Sequence, residues 1–222
     1  MHGSQARSAR NHRPGRDWGR HGLTVIEVLV IIAVVAVLGV LGSGWMRVKG
    51  HPMWFACANN LRSIGSGFSR FAADHRGAFP PMVSTNEDGS MEYGPITYQH
   101  FYAARIEIGI PKMVCCPADP RRMATNMTGL RNANLSYFVS LDATPNRPDM
   151  VLSGHRNFML DRVAAQPGMV SLVQNQKLGW TSEFEGHRMH LLFADGSVRP
   201  YRDLRLTTNH LATNLVNRLA VP

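Results

Sequence analysis

A run of aliphatic residues near the N-terminus constrains this chain more than any other feature. From Leu23 to Leu41, nineteen residues carry one charge, Glu27. Wound as a helix at ~1.5 Å per residue, the run nearly crosses the ~30 Å apolar core of a bilayer. A cleaved secretory signal has an apolar stretch of only ~7–15 residues followed by a small-x-small site. Here the run is longer and 22 residues precede it. That leader has no adjacent arginines for a twin-arginine signal and no cysteine for a lipid anchor. It carries Arg7, Arg10, Arg13, Arg16 and Arg20 against Asp17, whereas only Arg47 and Lys49 follow the run closely. Positive charge stays on the cytoplasmic side. The expected arrangement is therefore a single membrane span, its N-terminus cytoplasmic and its C-terminal part exported.

Glu27 is out of place in such a span, because a carboxylate at the centre of a membrane helix costs roughly 2.5–3.5 kcal/mol on insertion scales. A local account is available. Thr24 as N-cap and Glu27 three residues on form a T-x-x-E capping box, with the carboxylate at the positive end of the helix dipole.

Beyond Trp45 the pattern stays helical. Leu61, Ile64, Phe68 and Phe71 recur at spacings of three and four, with Asn59, Asn60, Arg62, Ser63, Ser66 and Arg70 on the other face. This predicts one long helix from about Leu23 to about His75, kinked at Pro52 and ended by Gly77 and Pro80-Pro81. The remainder alternates short apolar runs with Gly, Pro, Asn and Asp, which predicts strands and loops. "LSYFVSLDA" (135–143) and "HRNFML" (155–160) read as strands, and "HLLFADGSVRPY" (190–201) as a hairpin turning at Asp195-Gly196. The terminal "TTNHLATNLVNRLAVP" reads as a short helix through Leu211, Leu215 and Leu219. The fold class is α+β: a long N-terminal transmembrane and amphipathic helix packed on a small antiparallel sheet.

Charge and cysteines exclude some classes of function. The leader holds four net positive charges, leaving +5 of the chain's +9 spread thinly over 200 residues with no basic stripe. No nucleic-acid partner is expected. Cys57, Cys115 and Cys116 have no zinc-site spacing. In an exported domain Cys57 can pair with Cys115 or with Cys116, and the alternative is that all three are small buried apolar residues.

The sequence Gly22-Leu23-Thr24-Val25-Ile26-Glu27, behind a basic leader and ahead of a long aliphatic run, resembles the N-terminal signature of type IV prepilins and type II secretion pseudopilins. The resemblance implies cleavage by a prepilin peptidase between Gly22 and Leu23, followed by N-methylation of Leu23, which stands where phenylalanine is usual. Glu27 then becomes the fifth residue of the mature chain and pairs with the terminal amine of a neighbouring subunit. The implied partners are that peptidase, other pilin or pseudopilin subunits in a homo- or hetero-oligomeric filament, an inner-membrane assembly platform and the membrane; the implied location is the inner membrane, with the C-terminal domain in the periplasm. The implied segments are a leader (1–22), a membrane part of the helix (23–46), an amphipathic half (47–76) and a β-rich pilin-like domain (77–222).

Segments 57–81, 113–121, 136–143, 152–158 and 193–198 also resemble a prepilin-like group common in planctomycete and verrucomicrobial proteomes. That group places a histidine nine residues ahead of an Asp-Gly pair, and here Glu185 stands in that position.

No catalytic motif is present, and an enzyme is not expected. His187, His190 and Asp195, with His155 upstream, are candidates for a metal or acid-base site, but a His-x-x-His on a strand sends its side chains to different faces. Asp142 and Asp149 bracket "DATPNRPD", whose oxygens suit Ca²⁺; a solvated Asp/Pro turn is the favoured reading, and no cofactor is expected. The alternative function is a membrane-anchored periplasmic binding or hydrolytic domain, not assembled into filaments, with a pocket around His155, His187 and Asp195.

Overall fold

The computed structural model describes residues 24–45, 51–184 and 189–222. The chain divides into two compact units, Met1–Arg47 and Val48–Pro222.

In the first unit, helix α1 runs Val25–Trp45 over 21 residues. Its side chains are described as far as Leu38, and every one from Val25 to Leu38 is exposed. Among the described residues no helix is long and apolar enough to cross a membrane.

The second unit opens with α2, His51–Asp74. Residues 46–50, which would join α1 to α2 in the single long helix expected from the sequence, lie outside the described residues. Pro52 stands at the second position of α2, and the kink expected there falls at the edge of residues 46–50, outside the described residues. The apolar stripe behaves as its spacing requires. Leu61, Ile64 and Phe68 are fully buried and Phe71 nearly so, each worth about 2 kcal/mol of transfer free energy. Gly65 lets the helix sit close to the sheet: a Cβ there would lie 2.8 Å from Leu192 Cδ1. The helix stops at Asp74, and Gly77, at φ 79°, returns its N–H to the Ala72 carbonyl at 2.8 Å.

After short helices α3 (Thr97–Ala103) and α4 (Arg105–Ile108), ten strands among the described residues form two antiparallel sheets. The larger has the order β5-β10-β1-β2-β7-β8 and the smaller β4-β3-β6-β9. Their ranges are β1 Tyr137–Ser140, β2 Val151–His155, β3 Phe158–Leu160, β4 Val163–Ala164, β5 Gly168–Val173, β6 Lys177–Trp180, β7 Met189–Phe193, β8 Val198–Tyr201, β9 Leu204–Arg205 and β10 Val216–Val221.

The two-residue period of a strand sorts side chains into two cores. Tyr137, Val139, Leu152, Leu192 and Ala220 face the core shared with α2. Phe138, Val151, Leu191, Phe193, Leu219 and Val221 face a second core with Phe158, Leu172, Leu178 and Trp180. The larger sheet is thus apolar on both faces, so its central strands read as continuous apolar runs.

The α+β class holds, with antiparallel sheets and a helix packed on one of them. There are two sheets, where the sequence led us to expect one small one. The expected C-terminal helix is a strand. Residues 208–210 form one 3-10 turn, Leu215 takes φ 62°, and β10 then pairs antiparallel with both β1 and β5. The four-residue spacing of Leu211, Leu215 and Leu219 imitates a helix, but a central position between two strands outweighs it. The Asp195-Gly196 hairpin forms as expected: Gly196, at φ 81°, donates to the Phe193 carbonyl, and β7 pairs with β8.

Candidate functional site

Two places concentrate chemistry, one in each unit. At the start of α1 the Thr24 backbone N–H and hydroxyl both donate to Glu27 Oε2, at 2.8 and 2.9 Å. The Glu27 N–H returns to Thr24 Oγ1 at 3.3 Å. This is the reciprocal capping box that the T-x-x-E spacing predicts, and it ties the one charge of α1 to its first turn. Gly22 and Leu23, the residues of the expected processing site, lie outside the described residues.

In the second unit Cys57 of α2 is disulfide-bonded to Cys116, with Cα atoms 5.1 Å apart. Cys115 is a buried free thiol, and burial raises its pKa. Neighbouring residues on an extended chain point opposite ways, which separates the two cysteines. Asn60, one turn after Cys57, donates to the carbonyls of Lys112 and Cys115 at 3.1 and 2.9 Å, pinning the same loop to the helix.

A ring nitrogen of His155 and the sulfurs of Cys57 and Cys116 lie within 4.8 Å of one another, the one such group of potential metal ligands among the described residues. With the two sulfurs bonded to each other there is no thiolate to offer a metal, so the group is a disulfide with an imidazole beside it. His155 is 1% exposed, ringed by Tyr137, Trp180, Phe184 and His190. Burial, and then the neighbouring His190, push its pKa down to about 3. Burial, and then Arg62, lower His190 to about 4. Both rings are neutral at pH 7.

A charged network flanks this group. Asp119, whose side chain is fully buried, takes a two-pronged contact from Arg156, Nε to Oδ2 at 2.9 Å and Nη2 to Oδ1 at 3.1 Å. Arg156 also binds Glu183. Arg121 fills its own donors with the carbonyls of Asn132, Leu135 and Pro222. No local spacing announces this network, because its members come from three loops.

The other residues singled out from the sequence are dispersed. Asp142 is held by Arg218, including a 2.7 Å bond from the Arg218 N–H. Arg199 lies between Asp149 and Asp195, at 3.4 and 3.3 Å. Arginines therefore hold these carboxylates, and none of them belongs to a metal-ligating group among the described residues. Asp195 also accepts the Ser197 N–H at 2.8 Å, as a turn residue does. His190 packs against Trp54 with ring centroids 4.4 Å apart and the rings tilted by 47°. His187 and Glu185 lie outside the described residues. Of the residues in the binding-pocket alternative, His155 lies beside the disulfide and Asp195 in the β7–β8 turn.

Comparisons with protein-family models, with curated proteins and with solved structures find no match to this chain.

Proposed function

We propose that the chain is a prepilin-type filament subunit, of a type II secretion pseudopilus or a type IV pilus-like assembly. A prepilin peptidase matures it at Gly22, and α1 drives its polymerisation. The observation that carries this reading is the character of α1. A 21-residue helix has one charge, and its described side chains are all exposed, Val25 at 79% and Ile26 at 70%. An aliphatic surface of that length needs lipid or other helices around it. Before assembly the inner membrane supplies the cover; afterwards the α1 helices of neighbouring subunits do. The folded unit that begins at Val48 is then displayed in the periplasm, where a disulfide persists.

Glu27 is the one residue whose chemistry separates assembly from mere anchoring. Cleavage after Gly22 creates an ammonium at Leu23 in apolar surroundings, and a carboxylate from the adjacent subunit neutralises it. A charge buried in this way is tolerated only when paired.

Glu27→Gln isolates that role. Glutamine serves in a capping box as glutamate does, so a residue that only caps α1 tolerates the change. In the filament reading the variant is made, matured and folded, yet cells shed few or no sheared filaments. Filament yield equal to the parent chain would leave Glu27 as a cap and remove the assembly role.

A further inference from the structure

Among the described residues four strand edges bound the two sheets, and three are blunted. β8 carries Arg199 and Pro200, β9 has two residues including Arg205, and β4 has only two residues. Proline cannot donate to a ladder, charge opposes stacking against another strand, and a two-residue edge offers little to pair with. The fourth edge is different. β5, Gly168–Val173, is six residues long, GMVSLV, with neither charge nor proline, and among the described residues β10 is its one strand partner.

The register tells which β5 groups face outward. Ser171 stands opposite Arg218, and the Arg218 carbonyl is taken by the Leu141 N–H on the β1 side. In an antiparallel pair such residues turn their own N–H and C=O away from each other. Ser171, and with it Met169 and Val173, therefore presents its backbone groups to the outside. The Val173 N–H agrees, since it donates to Gln176 Oε1 at 2.9 Å and not to β10. On these same residues Met169 is 51% exposed and Val173 38%, whereas Leu172 between them is buried.

We propose that β5 is a docking edge for β5 of a second copy of this chain, paired antiparallel about a two-fold axis through Ser171. In that register Ser171 faces Ser171 of the partner subunit, and Met169 faces the partner's Val173. All three facing pairs are of the hydrogen-bonded kind, giving about six backbone bonds across the axis once Val173 releases Gln176. The two exposed apolar side chains cover each other. No like charges meet, because the strand has none. This self-complementarity selects a second copy over an unrelated strand. The proposal stands apart from the filament reading, because it uses nothing from α1.

The test uses the full chain in detergent, carrying Cys115→Ala and Ser171→Cys. Facing Cα atoms in a hydrogen-bonded antiparallel pair are ~5.5 Å apart, within reach of a disulfide. Mild oxidation is expected to give a dimer linked through position 171 on a non-reducing gel. Thr208→Cys, exposed and outside β5, should give at least tenfold less. Adding Met169→Lys with Val173→Lys should abolish the dimer, and Met169→Lys with Val173→Glu should restore it by setting each lysine opposite a partner's glutamate. These side chains are exposed, so tryptophan fluorescence should report an unchanged fold. No dimer at 171, equal dimer at 208, a dimer indifferent to the double lysine, or failure of the charge pair to rescue would each overturn the register.

Discussion

The Cys57–Cys116 bond closes a loop with a sequence separation of 59. In the chain-entropy account a cross-link of that span removes about 14 cal/mol/K from the unfolded ensemble, or about 4 kcal/mol at 25 °C. Both sulfurs are buried, Cys57 at 2% and Cys116 at 1% exposure, and the bond anchors the first turns of α2 to the loop that Asn60 also holds. The Cys57→Ala, Cys116→Ala double variant should therefore unfold about 4 kcal/mol more easily. For a unit of this size that lowers the thermal midpoint by roughly 8–16 °C. The assay is urea unfolding of the full chain in mild detergent, followed by tryptophan fluorescence without reductant. Cys115→Ala is the internal control: it leaves the bond intact and should lose less than about 1 kcal/mol. The reasoning fails if Cys115→Ala is as costly as the double variant, or if a non-reduced digest links Cys57 to Cys115.

Two further outcomes follow from the buried charges and rings. Arg156→Met strips Asp119, fully buried, of its two-pronged partner and should cost about 3 kcal/mol; adding Asp119→Asn should recover part of that loss in the same melts, and a strictly additive result would contradict the pairing. Burial holds His100, His155 and His190 at about 4, about 3 and about 4, against an unfolded value near ~6.5. Between pH ~6.5 and ~3 the unfolded chain therefore binds protons that the folded chain refuses, so stability falls as pH drops through that window and is flat above it. Urea midpoints at pH 7.5 and 5.0 should show the decrease, a smaller one in His155→Phe, and an unchanged midpoint would refute it.

What could be read from the sequence was local. The α2 stripe, the Thr24–Glu27 cap and the Asp195-Gly196 turn each depend on residues within one or two turns of chain, and each has the form its spacing dictates. β10 was misread because its place between β1 and β5 is set by residues 43 to 81 positions upstream in the pairing, which no local period records. The disulfide partner stayed open because Cys115 and Cys116 are adjacent. Only the packing of the loop decides which sulfur faces Cys57. His155 drew notice for its residue type, but beside His190 its neighbours are the sulfurs 98 and 39 positions before it, which no local spacing announces. The Asp119–Arg156–Glu183 network left no trace in spacing, since three loops converge to build it.

The central claim is that α1 is the assembly helix of a subunit matured at Gly22. Mass spectrometry of the N-terminal peptide, taken from membranes of the native host, tests it most directly. The account predicts a chain that begins at Leu23 and carries one methyl group on its terminal nitrogen, with residues 1–22 absent. A chain that keeps Met1, or one cut beyond Gly39, would contradict it and leave Glu27 no amine to meet.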